Sequence, residues 1–415
     1  MHRNQIADRI YYDEPATLEF TAEVTAIREL ARVDGKQVWQ IALDRTAFYP
    51  TSGGQPHDTG ALIATARSGA SLEVPITDVE EDDAGEVWHT TAKPLQEGTA
   101  VRAVISEYRR RDHMQQHTGQ HLLSAILDRD FGARTVSFHL GEFESTIDLE
   151  GPSLTELQMQ SAEAVANAVV AQSLPLSVRY VSSEEAVAMK EQGLLRKLPP
   201  RPGNIRLVDI PGIDLNACGG THVATTAEIG PVLLRGVENV RGNQRLSFVC
   251  GLRALRASRD DFQHVQSIAR ALTSSVDSIS SSLERMKNEQ RSQAKSLSAL
   301  LEELAGYEAV RLAATSAQTV IHTLSAGRDA AYAKLLASTL IRTTAVSIAL
   351  VATDTPEQAN LVLAAKPGVI DCGTLLRKAL AEHHGRGGGS PVMAQGAVAA
   401  NLREDALSTL RAALP

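Results

Sequence analysis

Three cysteines in 415 residues are too few for a disulfide framework, which points to a reducing compartment. Aromatic residues make up only 4% of the chain, so its cores must be built from aliphatic side chains. No run approaches the ~18–20 apolar residues that a membrane helix needs. The stretch Met1 to Glu14 mixes charge and polarity and holds no apolar segment of the kind a secretory signal carries. These absences describe a cytoplasmic protein that does not enter a membrane. An excess of basic charge is also missing. The formal net charge is −8, which excludes a wholesale nucleic-acid coat and still allows a local basic patch. Hydrophobic content of 43% suits a globular chain, and the length predicts roughly two to four domains.

Along the chain the hydrophobic period changes several times. Leu18 to Val24 and Trp39 to Asp44 alternate apolar and polar, and Glu86 to His89 is strand-like by residue type, with turns at Asp34-Gly35 and Asp58-Thr59-Gly60. Short strands at this spacing predict a small β-barrel-like domain over residues 1–105. Arg109 to about Asp128 reads as a helix closed near Gly132, and two strand-like runs hinged at Gly141 follow. A helix over Ser153 to Gln172, a strand at Val178 to Val181 and a capping-box signature at Ser182–Glu185 come next. A strand from Gly203 to Ile210 and a hairpin around Arg241-Gly242-Asn243 complete an α+β domain over 106–252. From 253 to 308 a three/four apolar spacing predicts a long helix or helical pair. It serves either as a spacer or dimerising coil or as ordinary amphipathic helices packed on a neighbour. Residues 309–415 return to α/β alternation and contain the glycine-rich Gly385 to Pro391 turn.

Two short stretches carry the chemistry. His117 and His121, four apart on a helix, leave one face, and Cys218-Gly219-Gly220-Thr221-His222 brings a thiol and a third imidazole. Together they are a donor set of the kind Zn2+ takes, and the glycine pair allows the sharp turn that Cys218 and His222 need. No glutamate lies between His117 and His121, so the zinc-protease pattern is not met. A closed structural site and a catalytic one both stay open at this point. The other stretch, Thr46 to Gly60, offers hydroxyl and amide groups at Thr46, Ser52 and Gln55 around Gly53-Gly54. Taken alone it is no more than an elaborate turn.

Taken together, Thr46-x-Phe48-Tyr49-Pro50-x-Ser52-Gly53-Gly54-Gln55, His117-x3-His121 and Cys218 to His222 resemble the editing region of alanyl-tRNA synthetase and its free-standing AlaX-type relatives. The tail Gly387 to Gly396 resembles the C-terminal C-Ala domain of that synthetase. The resemblance implies that His117, His121, Cys218 and His222 bind Zn2+ and that Thr46 and Gln55 act in catalysis. It further implies that Thr46, Ser52, Gly53 and Gly54 contact substrate, Thr46 through the serine hydroxyl. The implied reaction is trans-editing: hydrolysis of serine, and of glycine, from mischarged tRNA(Ala), in the manner of a long-form AlaX protein. The short stretch before Thr46 leaves no room for an aminoacylation core, so no charging activity is expected. Arg109-Arg110-Arg111, a group of Lys197, Arg201 and Arg206, and Lys366, Arg377, Lys378 and Arg386 of the tail are candidates to meet RNA phosphates. The spacer or the C-terminal domain could form a homodimer. The alternatives are a tRNA-binding protein with a structural zinc, and an editing enzyme for another aminoacyl-tRNA, since threonyl-tRNA synthetase has a related domain.

Overall fold

The protein is described by a computed structural model, which covers residues 8–33, 36–66, 68–195, 198, 203–316, 318–325, 327–355 and 358–415. It mixes helices and sheets throughout, an α+β protein, and falls into two compact units, Met1–Val265 and Gln266–Pro415. The Asp34-Gly35 turn, Lys197 and Arg201 lie outside the described residues. No described helix is long and apolar enough to cross a membrane.

The first unit begins with a seven-stranded antiparallel sheet. Its middle strand Glu19–Val33 pairs with Lys36–Leu43 on one side and Ala100–Ile105 on the other. The period-two pattern has its expected result: Val24, Ile41, Leu43, Leu62, Val74, Val101 and Ala103 share one aliphatic core. Edge strand Ser71–Ile76 lies against Val87–Thr91, so the sheet curls over that core.

Two smaller sheets complete the unit. One runs Arg134–Leu140, Ser145–Glu150, Asn243–Cys250, Val232–Val240, and the other runs Ser177–Val181, Ile205–Ile210, Asp214–Ala217. Between them lies the 25-residue helix Glu107–Phe131, closed by Gly132 at φ 63° with its N–H returned to the Asp128 carbonyl. Leu122, Leu123, Ile126 and Leu127 of this helix enter the core beside Ile147, Leu149 and Phe248. Helical spacing then turns His117 and His121 to a different face. The hairpin turn is where the pattern placed it, with Arg241 at φ 50° and Gly242 at φ 89°. Ser182 caps its helix by accepting from the Glu185 N–H at 3.2 Å, while the complete capping box is formed by Thr155 and Gln158.

The helical stretch is two helices, Gly251–Ala271 and Ile279–Ala313, interrupted where Thr273 takes φ 51°. The second exposes Met286, Leu297, Leu300 and Tyr307. In the second unit a five-stranded sheet has Thr319–Thr323 parallel to Ile348–Asp354 and its other pairings antiparallel. The glycine-rich run, expected as a turn, is the edge strand Arg386–Ser390. Its glycines make room for packing: a Cβ on Gly387 would stand 2.7 Å from Leu380 Cδ1. That crowding, rather than a phosphate cradle, accounts for small residues here.

Candidate metal centre

His117 and His121 project from the helix Glu107–Phe131, and Cys218 and His222 lie on the loop after strand Asp214–Ala217. The four donor atoms all lie within 4.8 Å of one another. Cys218 Sγ is 3.5 Å from His117 Nε2 and 3.3 Å from His222 Nε2. The three imidazoles are buried and the thiol is partly exposed. Gly220 is what allows the loop so close, since a Cβ there would run into the His117 ring and stand 2.9 Å from Gln55 Oε1.

Each ring has its far nitrogen held. The Thr221 N–H donates to Gln55 Oε1 at 3.0 Å, and the Gln55 amide donates to Thr221 Oγ1 at 2.8 Å, which orients the side chain. Gln55 Oε1 therefore accepts from His117 Nδ1–H at 2.8 Å. Thr118 gives its one proton to the Met114 carbonyl at 2.8 Å, so it accepts from His222 Nδ1–H at 3.1 Å. His121 Nδ1 donates to Asp214 Oδ2 at 2.9 Å. With Nδ1 held in all three rings, Nε2 is the nitrogen each has left to offer a metal.

The electrostatics favour a thiolate at Cys218 and a neutral ring at His222, while His121 holds a proton that a metal would displace. Burial alone would push the Cys218 thiol up, but His117, His222 and His121 hold it well below the usual thiol range. Burial opposes charge on His121, yet the Cys218 thiolate and Asp214 raise it to about 9. His222, under the same burial, is held neutral at about 3. One thiolate and three imidazoles with fixed tautomers are a donor set that fits zinc.

A cleft of about 430 Å³ opens beside these donors. Ser52, Gly53 and Gly54 line it, together with His117, Gln120, His121, Ser137 and Phe138. Gly53 at φ 56° and Gly54 at φ 85° form a tight turn closed by reciprocal bonds between Ser52 and Gln55. A Cβ on Gly54 would stand 2.8 Å from the Phe138 ring. Gln55 is fully buried behind His117 and orients that ring. Thr46 is not brought to the cleft: it is fully buried, its hydroxyl 2.8 Å from His89 Nε2 and accepting from the Phe48 N–H at 3.1 Å.

Arg110 is interior as well, its guanidinium bound to Asp58 at 2.5 Å with both side chains 1% exposed or less. Arg111 is exposed, Arg109 is tied to the His57 carbonyl, and Arg206 lies on the second sheet beside the cysteine loop. Sequence reasoning missed Asp214, Thr118, Thr221 and Gln120. Thr118 and Gln120 sit inside the histidine motif and so could have been found by helical facing, whereas Asp214 carries no local signal.

Three family models match separate stretches of the chain. A family model for tRNA synthetases class II (A) matches residues 2–109, the region of the seven-stranded sheet. A model for the threonyl and alanyl tRNA synthetase second additional domain matches 205–247, and a DHHA1 domain model matches 316–414. The alanyl-tRNA editing protein Aarsd1 of Mus musculus is 31% identical over 293 residues, 69% of this chain and 67% of that protein. The chain belongs to the AlaX-type family of alanyl-tRNA editing proteins. Among its family, AlaX-L of Pyrococcus horikoshii is 31% identical over 60% of this chain and 59% of that protein. The alanine--tRNA ligase of Natronomonas pharaonis is 32% identical over 72% of this chain and 32% of the ligase. The chain spans about half to two thirds of the length of the curated editing relatives it matches. The C-Ala domain of Aquifex aeolicus alanyl-tRNA synthetase aligns over 23% of this chain and 88% of that domain, at 19% identity and a TM-score of 0.21, too weak a likeness to carry an argument.

Proposed function

We propose that this member of the family is a trans-editing deacylase, which hydrolyses the ester joining serine, and glycine, to the 3′-terminal adenosine of tRNA(Ala) without charging the tRNA. The observation that carries this reading is the convergence of His117, His121, Cys218 and His222 beside a cleft whose wall includes the first three. Zinc held by these four residues would supply a Lewis acid that positions and polarises the ester. The Ser52-Gly53-Gly54 turn presents backbone to the substrate, and Gln55, Thr118 and Asp214 keep the three imidazoles in one tautomer.

Selectivity for serine needs a group that a methyl side chain leaves unpaired. Thr46 is sealed away, but Gln120 lines the cleft, is 4% exposed, and has its Oε1 without a partner, while its amide donates to Ser124 at 2.7 Å. We assign Gln120 Oε1 to the serine hydroxyl. Leaving such a buried acceptor unpaired when alanine binds costs about 1–3 kcal/mol, roughly a 5- to 150-fold preference. A purified preparation should deacylate seryl-tRNA(Ala) and glycyl-tRNA(Ala) and spare alanyl-tRNA(Ala). Gln120→Met should reduce the serine-over-alanine ratio, and an unchanged ratio would remove Gln120 from this role.

The parts 1–105, 106–252, 253–308 and 309–415 are proposed as functional divisions, the last binding the tRNA through Lys366, Arg377, Lys378 and Arg386. Leu297, Leu300, Leu304 and Tyr307 are exposed at alternating three and four spacing on helix Ile279–Ala313, which supports pairing with a second copy. Sedimentation should show a dimer that Leu300→Glu dissociates; a wild-type monomer would remove this pairing.

A further inference from the structure

A second cleft, of about 350 Å³, lies on the other side of the cysteine loop and shares Tyr49, Ser52, Ala217, Cys218 and Gly219 with the first. The mechanism above makes no use of it. Two buried polar atoms in its walls lack partners: the Tyr11 hydroxyl, on a residue 1% exposed, and Arg206 Nη2, on a residue 7% exposed. The rest of the Arg206 guanidinium is spent on backbone. Its Nε donates to the Tyr12 carbonyl at 3.0 Å, and its Nη1 donates to the carbonyls of Cys218 at 2.7 Å and Gly220 at 3.2 Å. The arginine is thereby locked against the metal loop with one N–H pair to offer. Glu81, also in the wall, is engaged by Arg9 at 2.9 Å. Burial pushes the Tyr11 phenol up, so it stays a donor at working pH.

Two unpartnered donors in the walls of one cleft, one of them a guanidinium, suit a phosphate. The same walls carry aromatic rings: Tyr12, whose ring a Cβ on Gly219 would meet at 3.7 Å, and the half-exposed Tyr180. Flat rings beside a phosphate donor are what a nucleotide requires, its base stacking on them. We propose that this cleft seats the terminal adenosine 5′-phosphate of the substrate RNA, with the phosphate on Arg206 Nη2 and the Tyr11 hydroxyl. The inference rests on the deacylase reading and adds to it a division of labour. The aminoacyl group takes the Gln120 cleft, the nucleotide takes the tyrosine cleft, and the ester lies across the loop of Cys218.

Binding of adenosine 5′-monophosphate and of adenosine to the full chain, followed by ligand-observed NMR, tests it. The monophosphate should bind at least about tenfold more tightly than the nucleoside. Arg206→Lys should remove most of that preference, and it also loosens contacts to three carbonyls. Tyr11→Phe is therefore the cleaner variant: it deletes a hydroxyl that has no partner to lose, and it should weaken the monophosphate several-fold while leaving adenosine and the melting temperature unchanged. Equal affinity for the two ligands, no binding of the monophosphate, or an unaltered preference in Tyr11→Phe overturns the assignment. Deacylation of seryl-tRNA(Ala) by the same preparations separates the two readings. Hydrolysis without phosphate preference removes the subsite alone, and phosphate preference without hydrolysis keeps the subsite and removes the deacylase.

Discussion

Among the buried histidines of the first unit, His89 and the three beside Cys218 differ in how their nitrogens are spent. His89, in the curled sheet, uses both: Nδ1 donates to the Ile41 carbonyl at 2.9 Å, and Nε2 accepts from the Thr46 hydroxyl at 2.8 Å. His117, His121 and His222 use only Nδ1 and turn each Nε2 towards Cys218. Burial is the same in both places, so burial does not mark a site. An imidazole with one nitrogen committed and the other aimed at further donors does mark one.

That contrast can be broken most severely at Gly220. Gly220→Ala puts a methyl group where the His117 ring stands. Zinc affinity and deacylation should both fall by about 100-fold or more, as expected when a ligand is displaced; retention of zinc at wild-type affinity, measured by competition with a chromophoric chelator, would count against the geometry. The His89 side responds to acid. Burial lowers the pKa of His89 to about 4 from an ordinary 6.5, so the unfolded chain takes up a proton that the folded chain refuses. Stability present above about pH 6.5 is then lost as pH falls towards 4, by about 3 kcal/mol. Melting temperatures over that range should fall less steeply for His89→Gln. Some slope should remain, because burial also holds His113 down, at about 3.

Smaller effects come from the groups that orient the rings. Asp214→Asn keeps the fold and should reduce zinc affinity by roughly 10- to 100-fold, read by the same chelator competition. Thr46→Val leaves His89 Nε2 and the Phe48 N–H unpaired and should cost about 1–2 kcal/mol in urea unfolding with zinc retained. A loss of serine-over-alanine discrimination without a loss of stability would instead return Thr46 to the substrate.

Much of this site was legible in the sequence. The clustering of His117, His121, Cys218 and His222 follows from residue type and spacing, because a helix fixes which face His117 and His121 share and a glycine pair fixes a sharp turn. The strands of the curled sheet and the Arg241-Gly242 hairpin follow from period and turn chemistry. Thr46 shows where the sequence runs out. A hydroxyl beside a Gly-Gly turn suits a binding loop, but whether it faces the cleft or His89 is decided by a residue 43 positions away. Arg110 is similar: three successive arginines suggest RNA, and Asp58, 52 positions distant, draws the middle one inside. Gly387 to Gly389 looked like a turn because glycine serves both turns and crowded strands, and only the neighbouring helix distinguishes them.

The most direct test is hydrolysis of seryl-tRNA(Ala) by the wild-type protein and Cys218→Ala, with zinc content measured on the same samples. The account predicts about one zinc per wild-type chain, rapid release of serine, and loss of both in the variant. Full hydrolysis by a zinc-free Cys218→Ala protein would contradict it.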